Sequence, residues 1–288
     1  MIKNICILGT GAMGSRVATH FINQGFNISI YNRNKNNATE LIKQGAHYFT
    51  TPARAVADAD LVISMLTDDS AAKSVWLNSQ NGALFAMKKA SIAIESSTLS
   101  VNCISQLNSA FTKHNIAFLD APVLGSRPQA EAATLIFLVG GNETVLSKVS
   151  HALEKLSSAI HYIGKSGSGA TMKLAVNAYF CTQVTALSEV IAALQKAGIN
   201  KQQSVELFNQ LPTTSPVLQG IGQLIASENF TAFFPIDLVE KDLSYMLNLA
   251  EQINTKVPTI IASHLSYKRA IDNGFAKDNI AGVAQMYL

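Results

Sequence analysis

The spacing of apolar side chains changes once along this chain. Over the first 165 residues, short β-branched runs alternate with stretches in which apolar positions recur every three or four residues. The runs 4–8, 27–31, 61–66, 91–95, 117–121, 135–139 and 159–163 read as strands, and 14–23, 101–114 and 143–156 read as helices between them. That alternation predicts a parallel sheet with crossover helices. Runs that are apolar at nearly every position, such as 61–66, suit strands covered on both faces. After Gly169 the pattern becomes helical throughout. An alanine-rich helix is expected over 170–197, stopped by Gly198, followed by helices over 201–210, 216–227, 236–253 and 258–273 with no strand among them. The boundary falls in the Gly/Ser loop at 166–169. The expected organisation is an α/β domain over 1–165 and an all-helical domain over 166–288, joined by a long interdomain helix.

Composition narrows the function classes. Of 288 residues, 48% are hydrophobic and 14% charged, enough for one large core or two smaller ones. Every apolar stretch is interrupted before the roughly 18 residues that a membrane span needs. A net charge of +3, evenly scattered, argues against nucleic-acid and membrane partners. Cys6, Cys103 and Cys181 are odd in number and far apart, so they are expected to be core residues rather than a disulfide framework or metal cluster. A strand-like run starting at Ile2 leaves no room for a targeting segment, and a reducing, cytoplasmic setting is expected.

The first chemistry-bearing motif is Gly9-Thr10-Gly11-Ala12-Met13-Gly14, which follows the run 4–8 and opens a helix. The first glycine permits a tight turn, the second admits a pyrophosphate against the backbone, and the third lets helix pack on strand. Free N–H groups at the helix start favour the anion. These residues predict a Rossmann-type dinucleotide site, with Leu66 and Thr67 at the end of another strand as further cofactor contacts. Asp68 and Asp69 follow them, and helix capping is at least as good a role as cofactor contact. An NAD site usually carries an acid at the end of the second strand. This chain reads Asn32-Arg33-Asn34 there, and its first acidic residue is Glu40. Arg33 can pair with a 2′-phosphate while Asn32 and Asn34 donate to it, so NADP is expected ahead of NAD.

Lys173 and Asn177 lie four apart on the long helix and share a face. Lys173 is the only charged residue between Lys165 and Glu189. A lysine partly withdrawn from water can protonate a carbonyl oxygen while hydride reaches the carbon, and Asn177 can hold the ammonium or the substrate oxygen. His114, His151 and His161 fall in no motif, and no metal site is expected.

At this point the sequence resembles the β-hydroxyacid dehydrogenases, over essentially its whole length. The glycine loop with Met13, the segment Phe118-Leu119-Asp120-Ala121-Pro122-Val123, the stretch from Gly164 to Asn177, and Phe234-Pro235 with Lys241-Asp242 carry the resemblance. It implies that Lys173 is the catalytic lysine with Asn177 as its partner, and that Thr98 lies by the nicotinamide and the substrate. It also implies that Lys241 approaches the cofactor while Phe234 and Asp242 border the substrate. Where the family continues with serine after the valine, this chain has Leu124-Gly125-Ser126. The backbone N–H groups of Gly125 and Ser126 are then expected to hold a substrate carboxylate, with a less polar or bulkier substrate admitted.

The expected activity is NADP(H)-dependent reduction of a small aldehyde- or keto-acid of the glyoxylate or succinic semialdehyde type. An NAD-linked 3-hydroxyisobutyrate dehydrogenase is the nearest rival. Val176 stands where a 6-phosphogluconate dehydrogenase has histidine, and the retained Lys173 speaks against an imine reductase. Retention of Lys173 and Asn177 also weighs against a non-catalytic dinucleotide-binding module. The resemblance further implies a homodimer or homotetramer.

Overall fold

The computed structural model describes residues 2–288, in two compact units, one ending at Lys173 and one running Leu174–Leu288. The first unit is built on a nine-stranded sheet. Its strands are β1 Asn4–Leu8, β2 Asn27–Tyr31, β3 His47–Phe49, β4 Leu61–Ser64, β5 Ile92–Glu95, β6 Ala117–Asp120, β7 Val123–Leu124, β8 Leu135–Gly141 and β9 Ser157–Gly164. The order is β3-β2-β1-β4-β5-β6-β8-β7, with β9 paired to β8. The first six strands are all parallel and follow the doubly wound dinucleotide-binding order.

The expectation of a wholly parallel sheet needs correction. β8 runs antiparallel to both β6 and β7. The cause is connection length. Between β7 and β8 the chain spans only 125–134, which is too short for the roughly dozen-residue crossover that parallel pairing demands. The helix Glu143–Leu153 then supplies a full crossover, and β9 returns parallel to β8. Two strands escaped the sequence pattern, β3 and β7, because three and two residues cannot display a period.

Successive side chains of β1 enter different cores. Ile5 and Ile7 pack with Val17 and Phe21 on one side, whereas Cys6 and Leu8 pack with Trp76, Leu107 and Phe111 on the other. Hence these strands are apolar at every position. All three cysteines are buried thiols, as expected. Burial pushes the Cys6 and Cys103 thiols up to about 12, so neither is a thiolate near neutral pH.

The long helix is continuous over Ser168–Lys196 and crosses the boundary between the units. The second unit adds helices Lys201–Phe208, Pro216–Ala226, Ile236–Gln252 and Pro258–Asp272, and a closing 3₁₀ stretch Ile280–Met286 that the periodicity did not reveal. Asn200 caps one helix through the Gln203 N–H, and Pro216 and Pro258 open two others. The core gathers Cys181, Val184, Ile191, Leu243 and Tyr267, with the Tyr267 hydroxyl donating to the Cys181 carbonyl at 3.3 Å. Among the described residues the second unit holds no strand, only an isolated bridge between Pro235 and Asn279.

Candidate cofactor and catalytic site

The glycine loop lies at the carboxyl end of β1 and leads into the helix Ala12–Asn23. Gly9, at φ +99°, donates its N–H to the Tyr31 carbonyl at 2.8 Å, and a Cβ there would strike the Met65 carbonyl. A Cβ on Gly14 would strike the Gly9 carbonyl, so this glycine sets the approach of helix to turn. Gly11 differs: a Cβ there would meet nothing within 4 Å. Gly11 and Ala12 are exposed and Met13 half-buried, no side chain caps this helix, and no acid occupies its first turn. Thr10 carries a buried hydroxyl for which no partner is recorded. Open space beside Gly11, uncapped N–H groups and that hydroxyl fit a pyrophosphate.

The end of β2 is tied to this loop. Asn32 Oδ1 accepts from Thr10 N at 3.0 Å, and its Nδ2 donates to the Asn34 carbonyl at 2.9 Å. Asn34 Oδ1 accepts from Asn36 N at 3.0 Å and caps a short 3₁₀ turn. The expectation that both asparagines simply donate to a phosphate therefore changes. Asn32 first serves to fix the glycine loop, and Arg33, exposed between them, is the side chain turned to solvent. Lys35 was not anticipated. It stands 5.7 Å from the centre of the Tyr48 ring and adds a second cation to this edge.

At the end of β4, Leu66 is half-buried and Thr67 exposed. Asp68 caps the helix Asp69–Leu77 by accepting from Ala71 N at 2.8 Å, the structural role weighed for it. Past β5, Thr98 is half-buried, just after the buried Ser96 and Ser97.

The loop after β6 departs from expectation. Leu124 belongs to β7 and pairs with Ile136. Gly125 takes φ +108°, where a Cβ would sit 2.8 Å from that of Gln129. The Ser126 N–H, expected to be available to a carboxylate, instead donates to Gln129 Oε1 at 2.9 Å as part of a capping box.

Asp120 is the lone acid of its motif. It is fully buried at the end of β6, where Oδ1 accepts from Gly167 N at 2.8 Å and Oδ2 from Ala170 N at 3.0 Å. Burial raises its pKa, against the opposing pull of these two N–H groups and the Ser166 hydroxyl. Its carboxyl thus fixes the start of the long helix, one turn before Lys173. Lys173 is half-buried. Asn177 is buried, and its Nδ2 donates to Asp242 Oδ2 at 2.6 Å. Asp242, also buried, pairs through Oδ1 with the Lys241 ammonium at 3.0 Å. Lys241 in turn lies 5.1 Å from the centre of the Tyr245 ring. Phe234 is half-buried against the second unit's core. Within that unit the structure brings Asn177, Lys241 and Asp242 together. Among the described residues no group of three or more acidic, His or Cys side chains is arranged for a metal ion.

Comparison with known proteins places both units within one family. Residues 4–164 match the model of the NAD-binding domain of 6-phosphogluconate dehydrogenase. Residues 167–287 match that of the NAD-binding domain of NADP-dependent 3-hydroxyisobutyrate dehydrogenase. The chain is 30% identical to glyoxylate/succinic semialdehyde reductase 2 of Arabidopsis thaliana, a chloroplastic protein, over 98% of this chain and 78% of that one. It is 27% identical to glyoxylate/succinic semialdehyde reductase 1 of the same plant, over 96% of each. Among solved structures, Mycobacterium tuberculosis 3-hydroxyisobutyrate dehydrogenase with L-serine shares the fold, with a TM-score of 0.90 at 24% identity over 99% of both chains.

The glycines separate packing from binding. Gly14→Ala should lower the melting temperature by several degrees, since its methyl group has no room, whereas Gly11→Ala should melt like wild type. Gly11→Ala should nonetheless weaken dinucleotide binding by roughly tenfold or more, read by titrating cofactor fluorescence. Normal binding by Gly11→Ala would show that the phosphates lie elsewhere.

Proposed function

Because the chain belongs to the β-hydroxyacid dehydrogenase family, NAD(P)-dependent oxidoreductases of the 3-hydroxyisobutyrate dehydrogenase type, we propose that it reduces a small aldehyde- or keto-acid with NADPH. The observation that carries this reading is the Asn177–Asp242–Lys241 cluster, in which Asn177 and Asp242 are buried, with Lys173 one turn before Asn177 on the same helix. The nicotinamide cofactor, when bound, supplies the hydride. Gly11 and Ala12 hold its pyrophosphate at the helix start, and Leu66, Thr67 and Thr98 border its nicotinamide end. Lys173 donates the proton to the carbonyl oxygen. Asp242 fixes the Asn177 amide by its Nδ2, which leaves Oδ1 as an acceptor for an ammonium or a hydroxyl group. The family resemblance assigns Phe234 and the loop 124–126 to the substrate's surroundings.

NADPH is favoured over NADH by charge. Arg33 and Lys35 stand at the end of β2, and no carboxylate precedes Glu40 in the sequence. A glyoxylate- or succinic semialdehyde-type substrate is favoured by the two plant relatives. The second reading, an NAD-linked 3-hydroxyisobutyrate dehydrogenase, draws on the fold match with the mycobacterial enzyme. Three buried cysteines outside any disulfide suit a reducing, cytoplasmic setting. Among the described residues no helix is long and apolar enough to cross a membrane.

A panel of small aldehyde- and keto-acids, assayed with NADPH and with NADH, separates these readings; no turnover on any of them would favour a binding module instead. Lys173→Ala should lower kcat by roughly 10²–10⁴ while cofactor binding persists, and near-normal turnover would remove Lys173 from the mechanism. Arg33→Ala should raise the KM for NADPH by the equivalent of ~1–3 kcal/mol with little effect on NADH. An unchanged preference between the two would reassign that residue. The long helix also exposes Tyr179 and Val190, and the helix Pro258–Asp272 exposes Ile261 and Leu265, apolar surface that suits a homodimer or homotetramer. Light scattering that reports a single-chain mass would refute this.

A further inference from the structure

β5 reads Ile-Ala-Ile-Glu, and all four residues are buried, with Glu95 at 0% exposure. An ionisable group in such a place is costly unless donors surround it. Two donors do. Trp76 Nε1, from the helix Asp69–Leu77, reaches Glu95 Oε2 at 2.8 Å, and Ser97 N reaches Oε1 at 2.9 Å. The same indole N–H also lies 3.2 Å from Ser64 Oγ at the end of β4. Burial raises the carboxyl's pKa, against the pull of Ser97, Ser64 and Trp76.

The network does not stop at Ser97. Its hydroxyl oxygen accepts from Leu66 N at 2.7 Å, and Ser96 N donates to the Ser64 carbonyl at 3.0 Å, which extends the β4–β5 pairing past both strands. A continuous path therefore runs from Trp76 to Glu95, to Ser97, to Leu66. It joins one helix and two strand ends at the carboxyl edge of the sheet, where nucleotides bind in folds of this order. The residues at its outer ends, Leu66 with Thr67 and Thr98, are those assigned above to the nicotinamide end of the cofactor. None of the bonds in this path is required to build the sheet. An apolar side chain at 95 would fill the same core without a desolvated charge.

We propose that Glu95 is a positioning residue for the nicotinamide half of the cofactor: its carboxyl sets the backbone at Ser97, and through it the placement of Leu66 and Thr98. The proposal rests on the dinucleotide-binding reading. Glu95→Gln keeps the shape but turns one acceptor into an NH₂ group facing a fixed N–H donor, either the indole or the Ser97 amide. Trp76→Phe keeps an aromatic ring in the core and removes one donor.

The test compares two probes by fluorescence and calorimetric titration: NADPH, which spans the whole site, and 2′,5′-ADP, which fills only its adenine end. Wild type is first titrated with NADPH and with NADH. If neither binds, the dinucleotide reading itself fails; if NADH binds better, ADP-ribose replaces 2′,5′-ADP as the fragment. Glu95→Gln should raise the Kd for NADPH about tenfold and leave that for the fragment within about twofold. Trp76→Phe should shift NADPH in the same direction by roughly threefold, and it carries the test if the glutamine variant does not fold. Equal weakening of both probes, or a lowered melting temperature with unchanged affinities, would make Glu95 a structural residue only and overturn the proposal.

Discussion

Two backbone N–H groups, those of Gly167 and Ala170, converge on the buried carboxyl of Asp120, and the register of the long helix follows from that contact. A helix start leaves its first N–H groups without internal partners. Here a side chain at the end of β6 takes the Ala170 N–H in the first turn and the Gly167 N–H just before it. The approach is close enough to exclude side chains on the neighbouring backbone. A Cβ on Gly140 would stand 2.7 Å from both Asp120 carboxyl oxygens, and one on Gly169 would strike the Leu138 carbonyl. Strand β8 and the helix thus meet around one carboxyl through two glycines. Because the helix begins at this point, the place of Lys173 in its first turns is set by a residue some fifty positions earlier in the chain.

The same economy appears along the rest of the sheet's carboxyl edge. Each acid there faces donors rather than solvent: Asp120 faces the helix start, Glu95 faces Trp76 and Ser97, and Asp68 caps its own helix. Carboxylates engaged in this way offer little repulsion to a phosphate. The glycine loop, by contrast, begins a helix with no acid in its first turn. The edge therefore keeps its negative charge locked into the scaffold and presents N–H groups and cations outward.

Much of this was legible in the sequence because it rests on local rules. β1 and β2 fall within the bounds that the pattern predicted, and the strand–glycine–helix junction announced itself through spacing alone. What escaped depends on contacts between distant positions. Nothing near Glu95 in the sequence points to Trp76 nineteen residues earlier, and nothing near Asn177 points to its bond with Asp242, sixty-five residues later. β3 and β7 are too short to show a period, and the antiparallel turn at β8 follows from a connection length that periodicity does not measure. Asn32 adds a role that its residue type alone does not announce: beside any donation from Nδ2, its oxygen accepts from Thr10 N and ties the glycine loop to β2.

The loop at 124–126 shows how a single replacement changes the donors that a segment offers. A serine after the valine would add a hydroxyl donor, whereas Leu124 has none, and its backbone pairs with Ile136. The Ser126 N–H, the next donor available, is taken by Gln129 to start the short helix Arg127–Glu131. That helix is then gripped from its far end. Arg16 donates to Glu131 Oε1 at 2.6 and 2.8 Å, and the His20 ring lies 2.9 Å from the Ala130 carbonyl. Both residues belong to the helix that the glycine loop opens. The loop is therefore ordered by the cofactor-binding scaffold and left poorer in donors than the family pattern. Both facts concern the loop's own structure: it carries a leucine side chain at 124, and the Ser126 N–H is already bonded within the loop.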